Sequence, residues 1–353
     1  MPIDRLDIQH LRNIESARLE FSPGLNLITG LNASGKTSLL EAIALVVAGK
    51  SFRTPRIAQL VQHGQNEMVL LGEYRQGSQN YRVGLSRRQR KTQVKLNGAF
   101  VTRTTDLVGY LPLFVLTPES HQLLDSGPKM RRQYLDWGVF HVEHRYLEAW
   151  QRYHRILRQR NATLRQQSSV TTIKAWDNPL AEYAQQLHAF RQAYLDRLQP
   201  WLTEYCLSLL GVQVDLRYHP GWETGASLVE QLTEQLGKDL SRGFTSLGPQ
   251  RADLKLKHGG NTVQSVFSRG QQKLLICAMT LAQMRVLERN SLILVDDLPA
   301  ELDPQKRQTL MGALQSTGAQ IMVTSTETGL IQVEDWPERK MFHVEHGKVR
   351  EVV

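Results

Sequence analysis

One octapeptide constrains this chain more than any other stretch. Gly30-Leu31-Asn32-Ala33-Ser34-Gly35-Lys36-Thr37 carries the required residue at every fixed position of G-x-x-x-x-G-K-[ST]. Before it lies Leu25-Asn26-Leu27-Ile28-Thr29, a short apolar run expected to be a buried strand. After it, Thr37–Ala48 has helical composition. Gly30 and Gly35 let the backbone curl until its N–H groups face inward, and the following helix directs its positive end to the same point. A loop of this kind cradles phosphate. Gly30, Asn32, Ala33, Ser34, Gly35 and Ser38 form the expected cradle. Lys36 reaches the β- and γ-phosphates, and the Thr37 hydroxyl faces Mg2+. The expected ligands are ATP and Mg2+.

A second element completes that chemistry. Leu292-Ile293-Leu294-Val295-Asp296-Asp297 is an apolar run followed by two carboxylates. A buried strand ending in aspartate places a metal-linked carboxylate beside the phosphates. Asp296 is the candidate for Mg2+ together with Thr37, and Asp297 the candidate to orient or deprotonate the attacking water. Lys36, Asp296 and Asp297 are therefore the candidate catalytic residues. One helix upstream, Phe267-Ser268-Arg269-Gly270-Gln271-Gln272-Lys273 opens a helical stretch with residues that expose N–H groups. Glu301-Leu302-Asp303 follows shortly after the carboxylates.

The order of phosphate loop, long insertion, S-x-G-Q, carboxylates and x-L-D resembles the ABC-type ATPase head. That resemblance implies an ATP-dependent homodimer with two nucleotides sandwiched between two heads. Ser268, Gly270 and Gln271 would act in trans on the nucleotide of the partner, and Asp303 would lie at the dimer seam. Two further stretches narrow the likeness. Residues 118–136, PESHQLLDSGPKMRRQYLD, and Gly248-Pro249-Gln250-Arg251-Ala252-Asp253-Leu254 resemble signatures of the RecF family of bacterial recombination mediators. Leu11-Arg12-Asn13 and Ser51-Phe52-Arg53 agree, and the resemblance covers nearly the whole chain. It implies DNA replication and repair, a place in the DNA-damage (SOS) response, and action at single-strand gaps. The implied partners are the mediators RecR and RecO, which help load the recombinase RecA. Three departures stand out. Ser126 occupies a position where the family often has glycine. Thr324-Ser325-Thr326 stands where transporter heads carry a switch histidine. Asp297 replaces the glutamate of most ABC heads, and its shorter side chain predicts slow hydrolysis, a timer rather than a motor. With no aromatic at the adenine position, Arg12 and Asn13 are the candidates for base recognition.

The expected fold is α/β: an ABC-type P-loop ATPase head of mixed β-sheets and helices, with an inserted helical arm. Residues 1–128 form the N-terminal part of the head. They include a β meander over 67–103, with Asn97-Gly98 as a hairpin turn of the primed type. Residues 129–242 form the arm. Apolar residues recur at helical spacing from Tyr146 to Leu164, and again from Leu180 to Leu198 after a stop at Pro179. Residues 243–353 complete the head.

Composition bounds the partners. Lys and Arg total 43 against 34 Asp and Glu, a net charge of +9 that favours a polyanion. Arg53, Arg56, Arg75, Arg87, Arg88, Arg90 and Lys91 are the candidate contacts to double-stranded or gapped DNA. Glu73 is the only acid counted near the meander's basic residues. The arm adds Arg152, Arg155, Arg158, Arg160 and Arg165, all but Arg160 within an arc of roughly 140°. With no base-reading pattern, binding should be sequence-independent and salt-sensitive. Two cysteines cannot build a disulfide framework, the longest apolar run falls far short of a membrane span, and the start lacks a leader pattern. A cytoplasmic protein is expected. Two other classes share some of these motifs. An ABC transporter ATPase subunit would need the switch histidine. An SMC-like DNA tether would need longer arms than legs on the order of 50 Å.

Overall fold

The computed structural model describes residues 2–76, 79–89, 91–101, 107, 109–297 and 302–352. Contacts divide the chain into two compact units, residues 1–120 with 288–353, and residues 121–287.

Unit 1 is built from two six-stranded sheets. One is antiparallel, in the order β2-β1-β4-β5-β6-β7: β1 Ile3–Leu11, β2 Ile14–Glu20, β4 Glu67–Gln76, β5 Gln79–Arg88, β6 Lys91–Leu96 and β7 Ala99–Phe100. Asn97 and Gly98 both take positive φ, 50° and 87°, as the expected hairpin turn requires. The other sheet has the order β15-β14-β3-β13-β12-β8: β3 Leu25–Thr29, β8 Leu113–Leu116, β12 Leu292–Val295, β13 Gln320–Ser325, β14 Arg339–Glu345 and β15 Lys348–Val352. All its pairings are parallel except β14 with β15. Helix α1, Lys36–Ala48, contacts strands of both sheets, and every residue in it except Thr37 is buried. Its sequence is apolar on all sides, which suits a helix enclosed by two sheets.

Unit 2 combines four long helices, several shorter ones and a small sheet. The long helices are α2 Pro128–Val142, α3 Tyr146–Arg165, α4 Asp177–Leu210 and α5 Arg269–Leu287. The sheet has the order β11-β10-β9, from β9 Asp215–His219, β10 Asp253–His258 and β11 Asn261–Thr262. One expectation needs adjustment here. Pro179 does not stop a helix: it is the third residue of α4, in the first turn, where its missing N–H has no partner to lose. The break falls at residues 175–176 instead. The compact unit that contains the expected arm also takes in residues 121–128 and 243–287. Residues 243–287 join it because α5 packs along α4 and β10 pairs with β9. Cys206 and Cys277 are buried free thiols, and burial pushes each up to about 12. No helix among the described residues is long and apolar enough to cross a membrane.

Candidate functional site

Strands β3, β13 and β12 lie side by side and parallel, so their C-terminal ends share one edge of the sheet. The phosphate loop follows β3, the paired carboxylates follow β12, and Thr324 lies near the end of β13 between them. Ligands of parallel sheets bind at such edges.

The loop has the conformation its spacing predicts. Gly30 and Gly35 take φ 153° and 123°, and Ala33 sits at 63°, a left-handed conformation few non-glycine residues adopt. A Cβ on Gly30 would run into the carbonyl oxygen of Val344, and one on Gly35 would press on the Asn13 amide at 3.0 Å. The buried Lys36 ammonium donates to the carbonyls of Gly30 and Leu31 at 2.8 and 3.2 Å. Ser34 Oγ is buried without a hydrogen-bond partner.

At the end of β12, Thr37 Oγ1 meets both oxygens of Asp296, at 3.1 and 2.9 Å. Thr324 Oγ1 donates to Asp296 Oδ1 at 2.8 Å and accepts the N–H of Asp297 at 2.8 Å. Asp297 adopts φ 53°, and its Oδ1 is buried without a partner. Burial pushes the Asp296 carboxyl above its ordinary pKa. Hydrogen bonds from Thr324 and Thr37 oppose this, the Asp297 charge adds to it, and the Arg53 charge opposes it. Arg53 therefore also acts electrostatically on Asp296, in addition to the DNA contact expected of it.

These residues suit Mg2+ with a polyphosphate. A threonine hydroxyl and a carboxylate are hard oxygen donors, and Mg2+ is bound through few carboxylates plus substrate phosphates. Ser34 Oγ and Asp297 Oδ1, buried without hydrogen-bond partners among the described residues, leave polar capacity for a ligand.

Asn13 braces the loop, and Arg12 pairs with the helix that follows it. Asn13 donates to Ser34 O at 2.9 Å and accepts from Ser38 Oγ at 3.0 Å. Arg12 forms an ion pair with the fully buried Glu41, Nε to Oε2 at 2.5 Å. Ser51 Oγ reaches the same carboxylate at 2.5 Å and accepts the N–H groups of Arg53 and Thr54. Sequence reasoning missed Glu41 and Thr324. The signal for Glu41 was a lone acid inside the apolar helix, four residues after Thr37. The sequence marks Thr324 only as part of the Thr324-Ser325-Thr326 stretch that replaces a switch histidine, and nothing in it points to the contact with Asp296.

Ser268, Arg269 and Gly270 are exposed at the start of α5. Ser268 N donates to Gln271 Oε1 at 2.9 Å and Gln271 N to Ser268 Oγ at 3.3 Å, a reciprocal capping box. The Ser268 hydroxyl proton is not used by that box. Arg269 pairs with Asp125 at 2.6 Å. Asp303 is exposed and caps helix α6, Pro304–Ser316, accepting the N–H of Lys306 at 3.0 Å. Glu301 lies outside the described residues.

The two family-like stretches meet inside unit 2. Arg131 grips Asp253 with two bonds, 2.8 and 3.1 Å, and Arg132 donates to Ala252 O at 2.7 Å. Arg191 joins Asp136 at 2.7 Å and Pro249 O at 3.1 Å. Ser126 has φ −82°, open to any residue, while the left-handed φ of 78° falls on Gly127. The departure at Ser126 is thus without backbone consequence.

The basic meander is less unmatched than its sequence implies. Strand pairing brings Asp4 to Arg75 at 3.1 Å and Glu67 to Arg88 at 3.7 Å, while Glu73 takes Arg82 at 2.6 Å and Arg5 at 3.1 Å. Arg87 donates to Thr92 at 2.9 Å. Lys91, Arg53 and Arg56 are exposed, and Arg90 lies outside the described residues. In the arm, Arg160 is fully buried, and Arg155, Arg158 and Arg165 are exposed.

Sheet order and phosphate loop together define a P-loop ATPase head of the SMC kind. The family model "RecF/RecN/SMC N terminal domain" matches residues 2–349, and a solved Smc head bound to the C-winged helix domain of ScpA shares the fold at TM-score 0.65 and 14% identity, covering 100% of this chain and 97% of that one. The chain is 40% identical to the DNA replication and repair protein RecF of Hydrogenovibrio crunogenus (strain DSM 25203 / XCL-2), covering 98% of each. It is 42% identical to that of Shewanella loihica (strain ATCC BAA-1088 / PV-4), covering 99% of each. A solved complex of the recombination mediator protein RecF with ATP, in the RecFOR pathway, superposes at TM-score 0.86 with 25% identity, covering 99% of this chain and 97% of that one. The chain belongs to the RecF family.

Proposed function

We propose that this chain is an ATP-switched DNA-binding repair protein. ATP closes two copies into a twofold dimer that grips duplex DNA near single-strand gaps, and slow hydrolysis releases it. The observation that carries this reading is the division of the motifs. The loop and carboxylates form one hydrogen-bonded cluster in unit 1, while Ser268 and Gly270 are exposed with a free hydroxyl proton, as a contact in trans requires. Lys36 exchanges its loop carbonyls for phosphate oxygens. Thr37 and Asp296 would hold Mg2+, which when bound neutralises charge on the β- and γ-phosphates. Asp297 orients a water onto the γ-phosphorus. The new P–O bond forms as the bond to the bridging oxygen breaks, giving ADP and phosphate. RecR and RecO are the proposed partners, with RecA loading as the outcome. A transporter role is disfavoured because Thr324-Ser325-Thr326 stands where transporter heads carry the switch histidine.

The test is duplex and gapped-duplex binding at one salt concentration with ATP, with ADP and with neither, alongside sedimentation. Binding and dimerisation that tighten only with ATP are expected. Ser268→Arg should abolish both while leaving ATP affinity within about twofold, because its side chain blocks the seam and not the cradle. Nucleotide-independent monomers, or normal hydrolysis by Ser268→Arg, would sink the reading.

A further inference from the structure

The hydroxyl of Thr324 makes two bonds that no other side chain in the site makes together. It donates to Asp296 Oδ1 at 2.8 Å and accepts the N–H of Asp297 at 2.8 Å. A hydroxyl has a single proton, so its donor is committed to Asp296. The side chain is completely buried. Its backbone is held on both sides: Thr324 is the partner of Ile28 on β3, and the preceding Val323 pairs with Val295, the last residue of β12. Thr324 thus cannot turn outward to a nucleotide without abandoning the carboxylates.

Asp297 needs such an anchor. Its φ of 53° lies in the left-handed region, which aspartate enters more readily than most residues with a side chain but still uncommonly. The bond from its N–H to Thr324 holds the peptide there, and among the described residues Asp297 Oδ1 is buried with no hydrogen-bond partner. The same hydroxyl fixes one oxygen of Asp296, and Thr37 engages both. One side chain therefore sets the geometry of the two acids relative to each other.

We propose that Thr324 is a positioning residue for ATP hydrolysis, acting through the carboxylates of Asp296 and Asp297 and without touching the nucleotide. The inference rests on the ATPase reading above and goes beyond it by assigning the end of β13 a role that requires a buried hydroxyl there.

The experiment compares Thr324→Val, Thr324→Ser and Thr324→Ala in the full-length chain. Single-turnover hydrolysis with Mg2+, ATP affinity in EDTA and thermal unfolding are measured for each. Thr324→Val and Thr324→Ala should slow hydrolysis by about ten- to a hundredfold, as small misplacements of catalytic groups do. ATP affinity without metal should stay within about twofold, since the cradle is untouched. Thr324→Ser keeps the hydroxyl and should hydrolyse within about threefold of the parent chain. Three results overturn the proposal: full activity in both hydroxyl-free variants, a serine variant as slow as the valine one, or metal-free ATP affinity falling in step with the rate. A parent chain whose DNA binding ignores nucleotide, with the Thr324 series behaving as stated, would remove the clamp reading and leave this one standing.

Discussion

Charge is buried in unit 2 and at the phosphate site of unit 1, and these two regions treat it in opposite ways, whereas elsewhere in unit 1 the buried Glu41 is answered by Arg12. In unit 2, Arg160 is fully enclosed with Asp177 and Asp239, each at 2.8 Å, and with Thr245 Oγ1 at 2.9 Å. Arg131 meets Asp253, and Arg191 meets Asp136. Every one of these cations has a carboxylate against it. In unit 1, Asp296 is nearly as buried, yet its side-chain partners are hydroxyls and its neighbour is another acid. Lys36 is met by its own loop's carbonyls. Neutral dipoles soften a buried charge without cancelling it. Compensated charge is therefore architecture, and uncompensated charge marks where a charged ligand belongs.

That contrast is broken most severely at Arg160. Arg160→Met would leave Asp177 and Asp239 buried without their cation, an arrangement that costs about 3–5 kcal/mol. Urea unfolding should show the loss, and hydrogen exchange should place it in residues 121–287. Adding Asp177→Leu and Asp239→Leu should recover most of it, because an apolar cluster can replace a buried ion network. Stability unchanged by Arg160→Met would mean the network is incidental.

The opposite outcome is expected at Asp296. Asp296→Asn removes a charge that burial disfavours, so the nucleotide-free chain should be as stable as its parent or slightly more so. Hydrolysis should fall by about a hundredfold or more, as it does when a group acting on the transferring phosphoryl is removed. Calorimetry without nucleotide and single-turnover kinetics read the two effects separately. Destabilisation on the scale of Arg160→Met would show that Asp296 also serves as architecture.

How far the sequence could be read follows the same division. The cradle was legible because phosphate imposes fixed spacing on consecutive residues, Gly30 to Thr37, and the strand before the carboxylates because four apolar residues in a row need burial. The antiparallel meander was legible from alternation and the Asn97-Gly98 turn. Contacts between distant segments were not. Nothing in spacing says that Asp4 will sit beside Arg75, that Thr324 will join Asp296 across 28 residues, or that Arg12 and Asn13 will turn toward Glu41 and Ser34. Those follow from strand order, and strand order depends on which crossovers the whole fold permits. The arm's exposed arc was readable, and it left out Arg160, the residue now found in the core. The extent of the compact unit that contains the arm was not readable, because residues 243–287 carry head-like motifs while packing on α4.

The smallest expected effect concerns the surface. Arg75 is exposed and shared with Asp4, whereas Arg56 and Lys91 are exposed with no ion pair at their side chains among the described residues. An exposed pair of this kind adds little to stability, so Arg75→Ala should leave the unfolding midpoint unchanged. Its effect on DNA is the informative one. A lone cation on a phosphate contributes about one unit to the slope of log K against log salt. Arg75→Ala should remove less than that, because its charge is already partly answered by Asp4. Arg56→Ala or Lys91→Ala should remove close to a full unit wherever the residue touches the backbone. Duplex titrations with ATP across a salt series measure all three. A full unit lost at Arg75 would mean that DNA draws the guanidinium away from Asp4. The distinction between answered and unanswered charge would then hold in the interior and fail at the surface, where water makes an ion pair easy to open.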